Sequence, residues 1–379
     1  CASRDSYGIS GGVVSRGSVG VNFYPVDEPN RFLSSSHVVL AIKAMRVSSV
    51  WQQRMVIVDE STTNMSRTMD PVVEWNGVIK RYPKATVNAL DDVSFSVCGG
   101  EIAVLVGPNG SGKTTAMEMA SGLRLPSQGS VKVLGQVVRP AGRQRGVIGV
   151  QLQESGLPAR MRVKEAFRAV KCLYADPGAV DEIISQLGLG EYINAPVDSL
   201  SGGWLRRLDV ALACIGKPKA LVLDEPTSGI DPVARTHMWE FLRRRRAEGV
   251  GVLVSTHDLS EAEAYADRLL VLNRGHLVLQ GGVSEVLGIA GGEWRLRIIG
   301  VEPDFDQWSR TNHHDFISAG NSRIFIGDRS SVSRLGEELE TAREAGAIHY
   351  LDSLRGPIRL EDVFAFAIDT RSDQPLDDR

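Results

Sequence analysis

The sequence has no hydrophobic run near the length of a membrane span. A bilayer-crossing helix needs about 20 apolar residues in succession; apolar residues make up 42% of the 379 here, but charge interrupts every stretch. Work at a membrane would need a second chain to cross it. Cysteine is scarce: Cys1, Cys98, Cys172 and Cys214 have no C-x-x-C or metal-ligand spacing and read as reduced thiols. Cys214 is expected near the core side of its helix. Excess positive charge is missing as well. A net charge of −3 excludes nucleic-acid binding by overall electrostatics, so no nucleic-acid partner is expected. The basic run Arg243-Arg244-Arg245-Arg246 lies late in a helical stretch, where cations complement the dipole and face solvent. The pair His313-His314 has no third ligand in view, and no zinc site is expected.

What the sequence does have is a phosphate loop. Gly107-Pro108-Asn109-Gly110-Ser111-Gly112-Lys113-Thr114-Thr115 matches G-x-x-x-x-G-K-[ST]. The glycines let backbone N–H groups turn inward onto phosphate oxygens. Lys113 reaches the β/γ-phosphates, and the Thr114 hydroxyl suits Mg²⁺. The flanks fit, with a buried strand Glu101-Ile102-Ala103-Val104-Leu105-Val106 before the loop and no helix breaker from Lys113 to Ser121.

A second apolar run, Ala220-Leu221-Val222-Leu223, delivers Asp224 and Glu225 at its end. Ligands of open α/β sheets bind at the carboxyl ends of strands. Asp224 is therefore placed to hold Mg²⁺, and Glu225 to polarise an attacking water. Leu200-Ser201-Gly202-Gly203 opens a helix whose apolar face is Leu205, Leu208, Leu212 and Ile215. A serine and two glycines at a helix N-terminus form an anion site.

In this order the motifs resemble the nucleotide-binding subunit of ATP-binding cassette (ABC) transporters, over residues 70–290. The family's adenine-stacking aromatic falls on Tyr82, its Q-loop glutamine on Gln153, its signature on 200–204 and its D-loop on Ser228-Gly229-Ile230-Asp231. Its switch histidine falls on His257. Gln151 competes with Gln153, and the spacing after Ile148-Gly149 favours Gln153. The resemblance implies ATP and Mg²⁺ as cofactors. Tyr82 would stack on adenine, and residues 107–115 would hold the phosphates. Thr114, Gln153 and Asp224 would surround the metal, while Glu225, His257 and Gln153 serve hydrolysis. Ser201, Gly202 and Gly203 would bind the ATP of a second copy in a head-to-tail dimer. Two positions depart from the pattern: Trp204 where the signature usually has Gln, and Gly229-Ile230 where Ala-Leu is commoner.

Residues 1–69 are rich in Ser, Gly and Val without sustained period; only Val38-Val39-Leu40-Ala41-Ile42 reads as a strand. They are expected to be an appended or mis-started extension, partly disordered, with translation starting near Met65 or Met69. The cassette, 70–290, is expected to be α/β with an antiparallel β subdomain and a helical subdomain between the Q-loop and the signature. Residues 291–370 read as a small α+β accessory domain with strands near 294–298 and 324–326, and 371–379 as a polar tail. Leu360-Glu361-Asp362-Val363-Phe364 resembles a segment of ABC-2 exporter ATPases, including the daunorubicin-resistance group. That implies an ATP-hydrolysing exporter subunit, peripheral on the cytoplasmic face of the cell membrane, driving a separate transmembrane permease. The alternatives are an importer ATPase, or a soluble ABC ATPase acting on ribosomes or DNA.

Overall fold

The computed structural model describes residues 70–140 and 142–369. The extension 1–69, with its expected strand at 38–42, and the tail fall outside the described residues.

The first layer is antiparallel. β1 (Pro71–Lys80) pairs with β2 (Leu90–Cys98), in which Val93, Phe95 and Val97 alternate inward as a one-faced sheet requires. β3 (Ile102–Val106) then leaves this layer and is buried at every residue, as a central parallel strand must be. It leads through the phosphate loop into α1 (Lys113–Ala120). β4 (Gln128–Val133) and β5 (Gln136–Val137) complete the first sheet in the order β2-β1-β4-β5. Trp75 and Phe95 stack at 4.2 Å beneath it, and the Trp75 indole N–H donates to the Ala116 carbonyl of α1 at 3.2 Å.

The second layer holds the site. β6 (Ile148–Gln151) is followed by α2 (Val163–Lys171), α3 (Val180–Gln186) and α4 (Gly202–Ala213), which form the helical subdomain. Then come β7 (Ala220–Asp224), α5 (Pro232–Ala247), β8 (Gly251–Thr256) and α6 (Leu259–Tyr265). β9 (Arg268–Asn273), β10 (His276–Gly281) and α7 (Val283–Gly288) close the cassette. The six strands run β10-β9-β3-β8-β7-β6, all parallel except the edge strand β10. The arginines late in α5 are not merely a solvated face. Arg245 pairs with Glu248 at 2.9 Å, Arg246 with Asp267 at 2.6 Å, and Arg243 lies over the Tyr265 ring. Cys214 ends α4 in the core, and burial pushes its thiol up to about 12.

A third sheet follows. β11 (Trp294–Ile299), α8 (Pro303–Thr311), β12 (Ile317–Ala319), β13 (Ser322–Gly327), α9 (Arg329–Glu344) and β14 (Asp352–Pro357) make a split β-α-β-β-α-β unit. The order is β12-β13-β11-β14, wholly antiparallel. Leu296 and Ile298 meet Phe305, Val332, Leu335 and Leu339 from the two helices in one core.

The last helix, α10 (Leu360–Asp369), lies against both β12 of that unit and the cassette helices α6 and α7. Ile358, Leu360, Val363 and Phe364 join the buried cluster of the cassette itself, beside Ala262 and Val286. Asp362, wholly buried, accepts from Arg295 of β11 at 2.7 and 2.8 Å, and the Leu360 amide donates to Glu263 of α6 at 3.0 Å. The change of sheet near 291 is thus a boundary of strands, while Ile358, Leu360, Val363 and Phe364 join the cassette core.

Candidate nucleotide site

Four strand ends stand side by side. Gln151 of β6 is level with Leu223 of β7, Asp224 with Ser255 of β8, and Thr256 with Val106 of β3. Asp224 ends β7, Glu225 and His257 each directly follow a strand, and the phosphate loop follows β3.

The phosphate loop is pressed against its surroundings so closely that only glycine fits at two points. A Cβ on Gly107 would lie 2.1 Å from the Leu272 carbonyl oxygen, and one on Gly112, at φ +108°, 2.5 Å from that of Ala89. Lys113 opens α1 with its ammonium folded back, donating to the carbonyls of Gly107 at 2.8 Å and Pro108 at 3.1 Å. Burial pulls its pKa down, and the carboxylates of Glu225 and Asp224 oppose that shift. The Ser111 hydroxyl is buried in the loop with no hydrogen-bond partner. Such a donor set fits a polyphosphate.

Asp224 is buried at the end of β7. Its Oδ1 accepts from the Ser255 hydroxyl, and its Oδ2 has no partner. An unpartnered buried carboxylate oxygen is costly, and a hard divalent cation is what such an oxygen binds best. With the Thr114 hydroxyl on the adjacent helix start, the donors present fit Mg²⁺.

Glu225 follows at φ +50°. A left-handed angle costs a non-glycine residue about 1–3 kcal/mol. Its amide donates to the Ser255 hydroxyl at 3.0 Å, and its Oε1 lies 3.1 Å from His257 Nδ1. The turn of the chain throws Glu225 away from Asp224, so neighbouring carboxylates serve different atoms. His257 is exposed, just past β8, so its free ring edge looks outward from the pair. A cavity of about 80 Å³ adjoins Glu225, Thr227 and His257, room for water beside the Glu225 carboxylate.

Tyr82 stands near the start of α1. Its hydroxyl is 3.1 Å from Thr115 Oγ1, and its ring lies beneath the Lys80 ammonium and the Arg124 guanidinium, at 5.5 and 5.1 Å. Ser201 caps α4, its hydroxyl accepting from the Trp204 amide at 3.4 Å. Ser201 and Gly202 are exposed, and Gly203 lies beside Gly229 and Ile230 of the D-loop stretch. Asp231 caps α5 as the Asp-Pro pair predicts, accepting from the Ala234 amide at 2.9 Å. Trp204 packs inside its own chain, on the Tyr192 ring at 4.3 Å and under Arg207 at 4.4 Å.

The expected Gln153 is not among the residues brought together. It is exposed, two positions beyond β6, and Arg206 of α4 donates to its carbonyl at 2.9 Å and to that of Leu152 at 3.1 Å. The glutamine at the site is Gln151, whose amide donates to the Asp224 carbonyl at 3.0 Å. Ser255, which no motif marks, holds both Asp224 and Glu225; its signal in the sequence is a hydroxyl inside an apolar strand, two residues before the histidine.

These features define a phosphate-loop nucleotide-binding cassette. The ABC transporter family model matches residues 90–228. The Nod factor export ATP-binding protein I of Ralstonia nicotianae is 33% identical over 300 residues, 78% of this chain and 92% of that protein. The doxorubicin resistance ATP-binding protein DrrA of Mycobacterium tuberculosis is 34% identical over 232 residues, 59% of this chain and 70% of that protein. Among solved structures, an ATP-binding subunit of an ABC transporter superposes with a TM-score of 0.54 at 26% identity, over 58% of this chain and 93% of that one. The chain belongs to the ABC transporter family.

Proposed function

We infer that the chain is the ATP-hydrolysing subunit of an ABC exporter, with the cargo carried by a separate membrane-spanning permease. The observation that carries the ATPase reading is the convergence of the phosphate loop, the unpartnered Asp224 oxygen and the Glu225–His257 pair at adjacent strand ends. Export is supported by the printed names of the relatives, which concern Nod factor export and doxorubicin resistance. Among the described residues no helix is long and apolar enough to cross a membrane, which agrees with a separate permease and a peripheral place at the membrane.

In this reading residues 107–115 hold the phosphates, and Lys113 exchanges its loop carbonyls for β/γ-phosphate oxygens. Thr114 and Asp224 hold Mg²⁺, which would supply charge neutralisation between the phosphates. Glu225 takes the proton of the attacking water, and His257 orients both. Gln153 joins them only by an inward swing of its turn. Tyr82 offers a ring face to adenine by displacing one of its two cations. Ser201, Gly202 and Gly203 sit on an exposed helix start, an arrangement that serves a γ-phosphate held by a second copy, in a two-fold head-to-tail dimer. A cavity of about 320 Å³ between β6, the Q-loop turn and α2 and α4 is the place on this chain for a permease segment, lined by Leu152, Leu157, Val170 and Tyr174.

The test is ATP turnover by the purified chain alone and with its permease. Lys113→Ala is expected to weaken ATP binding. Absence of Mg²⁺-dependent hydrolysis in both preparations would overturn the reading.

A further inference from the structure

A base at a left-handed backbone angle stays there only where its surroundings enforce it. Ser255 holds the Glu225 amide, and His257 meets its carboxylate. A third tie lies two residues on. The Thr227 hydroxyl donates to Glu261 Oε2 at 2.6 Å, both residues being buried. The Trp239 indole N–H donates to the same oxygen at 3.2 Å. On the other side Arg235 Nε lies 3.0 Å from Glu261 Oε1, and its Nη1 3.1 Å from Asp258 Oδ2. Asp258 directly follows His257 and caps α6, accepting from the amides of Ser260 and Glu261.

One carboxylate, 5% exposed, thus joins the turn after Glu225 to the helix after His257. A carboxylate in that position is expensive unless every partner is in place. Burial raises its pKa, and its bond to Thr227 and the charge of Arg235 oppose the rise. Thr227, Arg235, Asp258 and Glu261 border the small cavity beside Glu225.

We propose that Glu261 is a positioning residue for hydrolysis, fixing Thr227 and, through Arg235, Asp258, so that the Glu225 carboxylate and the His257 ring meet at the γ-phosphate. The proposal rests on the ATPase reading above. It differs from a merely fold-stabilising role in one respect. Thr227 and Trp239 donate to the same oxygen, but only Thr227 lies in the turn that carries Glu225.

The experiment compares Thr227→Val, Trp239→Phe and Glu261→Gln in the full chain, reading Tm, ATP affinity, KM and kcat. Thr227→Val and Glu261→Gln are expected to lower kcat about 10-fold or more, as small displacements of reacting groups do, with KM and ATP affinity within about two-fold. The double variant, Thr227→Val with Glu261→Gln, should be no slower than the slower single variant, because both changes break one chain of contacts from Thr227 through Glu261 and Arg235 to Asp258. Trp239→Phe should lower Tm and leave kcat within about two-fold of the parent. An unchanged kcat in Thr227→Val, or equal kcat losses in Thr227→Val and Trp239→Phe, would overturn the proposal. Should Glu261→Gln not fold, that pair of variants decides. A parent chain without ATPase activity would count against the proposed function instead.

Discussion

The nucleotide site has two halves built on different terms. One half is at the strand ends. Asp224 is buried, Glu225 is pinned at an unfavourable angle, Lys113 is folded into its loop, and Ser255 ties the two acids together. The other half is carried on the helical subdomain. Ser201 and Gly202 are exposed on a capped helix start, and Gln153 stands outside the site on an exposed turn. The first half is preorganised by the sheet; in the proposed reading the second is a surface whose task begins only when a second copy or the permease meets it. Chemistry that must not run idly is well served by this division, because neither half completes the constellation alone.

The sharpest way to break the comparison is at the base. Glu225→Gln is expected to keep ATP binding and to slow hydrolysis by about 10²–10⁴-fold, the usual worth of general-base help. The variant should persist as an ATP-bound dimer, seen by sedimentation. A monomer under ATP and Mg²⁺, with and without the permease, would remove the exposed half from the site altogether.

The two glutamines separate the halves within three residues of chain. Gln153→Ala is expected to lower kcat about 10-fold or more and to leave Tm alone, since it stabilises nothing in the ground state. Gln151→Ala, which strips a buried bond to the Asp224 carbonyl, should cost about 1–3 kcal/mol of stability by chemical denaturation. Reversed outcomes would assign the metal to Gln151.

A smaller effect is expected at Trp204. Its contacts are all to its own subdomain, so Trp204→Gln should lose about 1–2 kcal/mol of stability from the ring and guanidinium contacts. ATPase activity should stay within a few-fold. Weakened ATP-driven dimerisation with unchanged monomer affinity would show that residue to be an interface anchor instead.

The smallest effect lies far from the site. His349 Nδ1 sits 2.6 Å from Asp304 Oδ2, which raises the pKa of the imidazole and lowers that of the carboxyl. The raised His contributes fully below its ordinary value near 6.5 and fades as pH climbs through the folded value. The depressed Asp contributes above its ordinary value near 3.8 and fades as pH falls through the folded one. The pair is therefore whole between those limits. An NMR titration of His349 should move down in Asp304→Asn; an unmoved curve would show the contact to be absent in solution.

The legible parts of the sequence were those in which local pattern and chemistry coincide. β3 and β7 are continuous apolar runs because both faces are covered, and each hands over directly to loop residues of narrow chemical choice. The helical stretch that carries Arg243 to Arg246 late in its length is α5. What escaped depends on distance along the chain. Glu261 gains its meaning from Thr227, 34 residues earlier, and Leu360 from Glu263, 97 residues earlier. β14, with Gly356 and Pro357 and little burial, carries no period at all and exists because β11 pairs with it. Leu360-Glu361-Asp362-Val363-Phe364 was readable only as a resemblance. Its physical role is two-sided, apolar toward the cassette and acidic toward Arg295.

That helix sets a schedule for the protein's manufacture. Ile358, Leu360, Val363 and Phe364 fill a cluster whose other members, such as Val254 and Leu269, are made long before them. Between Gly291 and Phe364 the ribosome adds 74 residues, about 4–15 s at ordinary synthesis rates of about 5–20 residues per second. Throughout that interval the surface around Ala262 and Val286 has no lid of its own chain. A chain ending before Leu360 would keep the phosphate loop and the strand-end acids but leave this flank of the cassette core unsealed, a surface of the kind that chaperones hold.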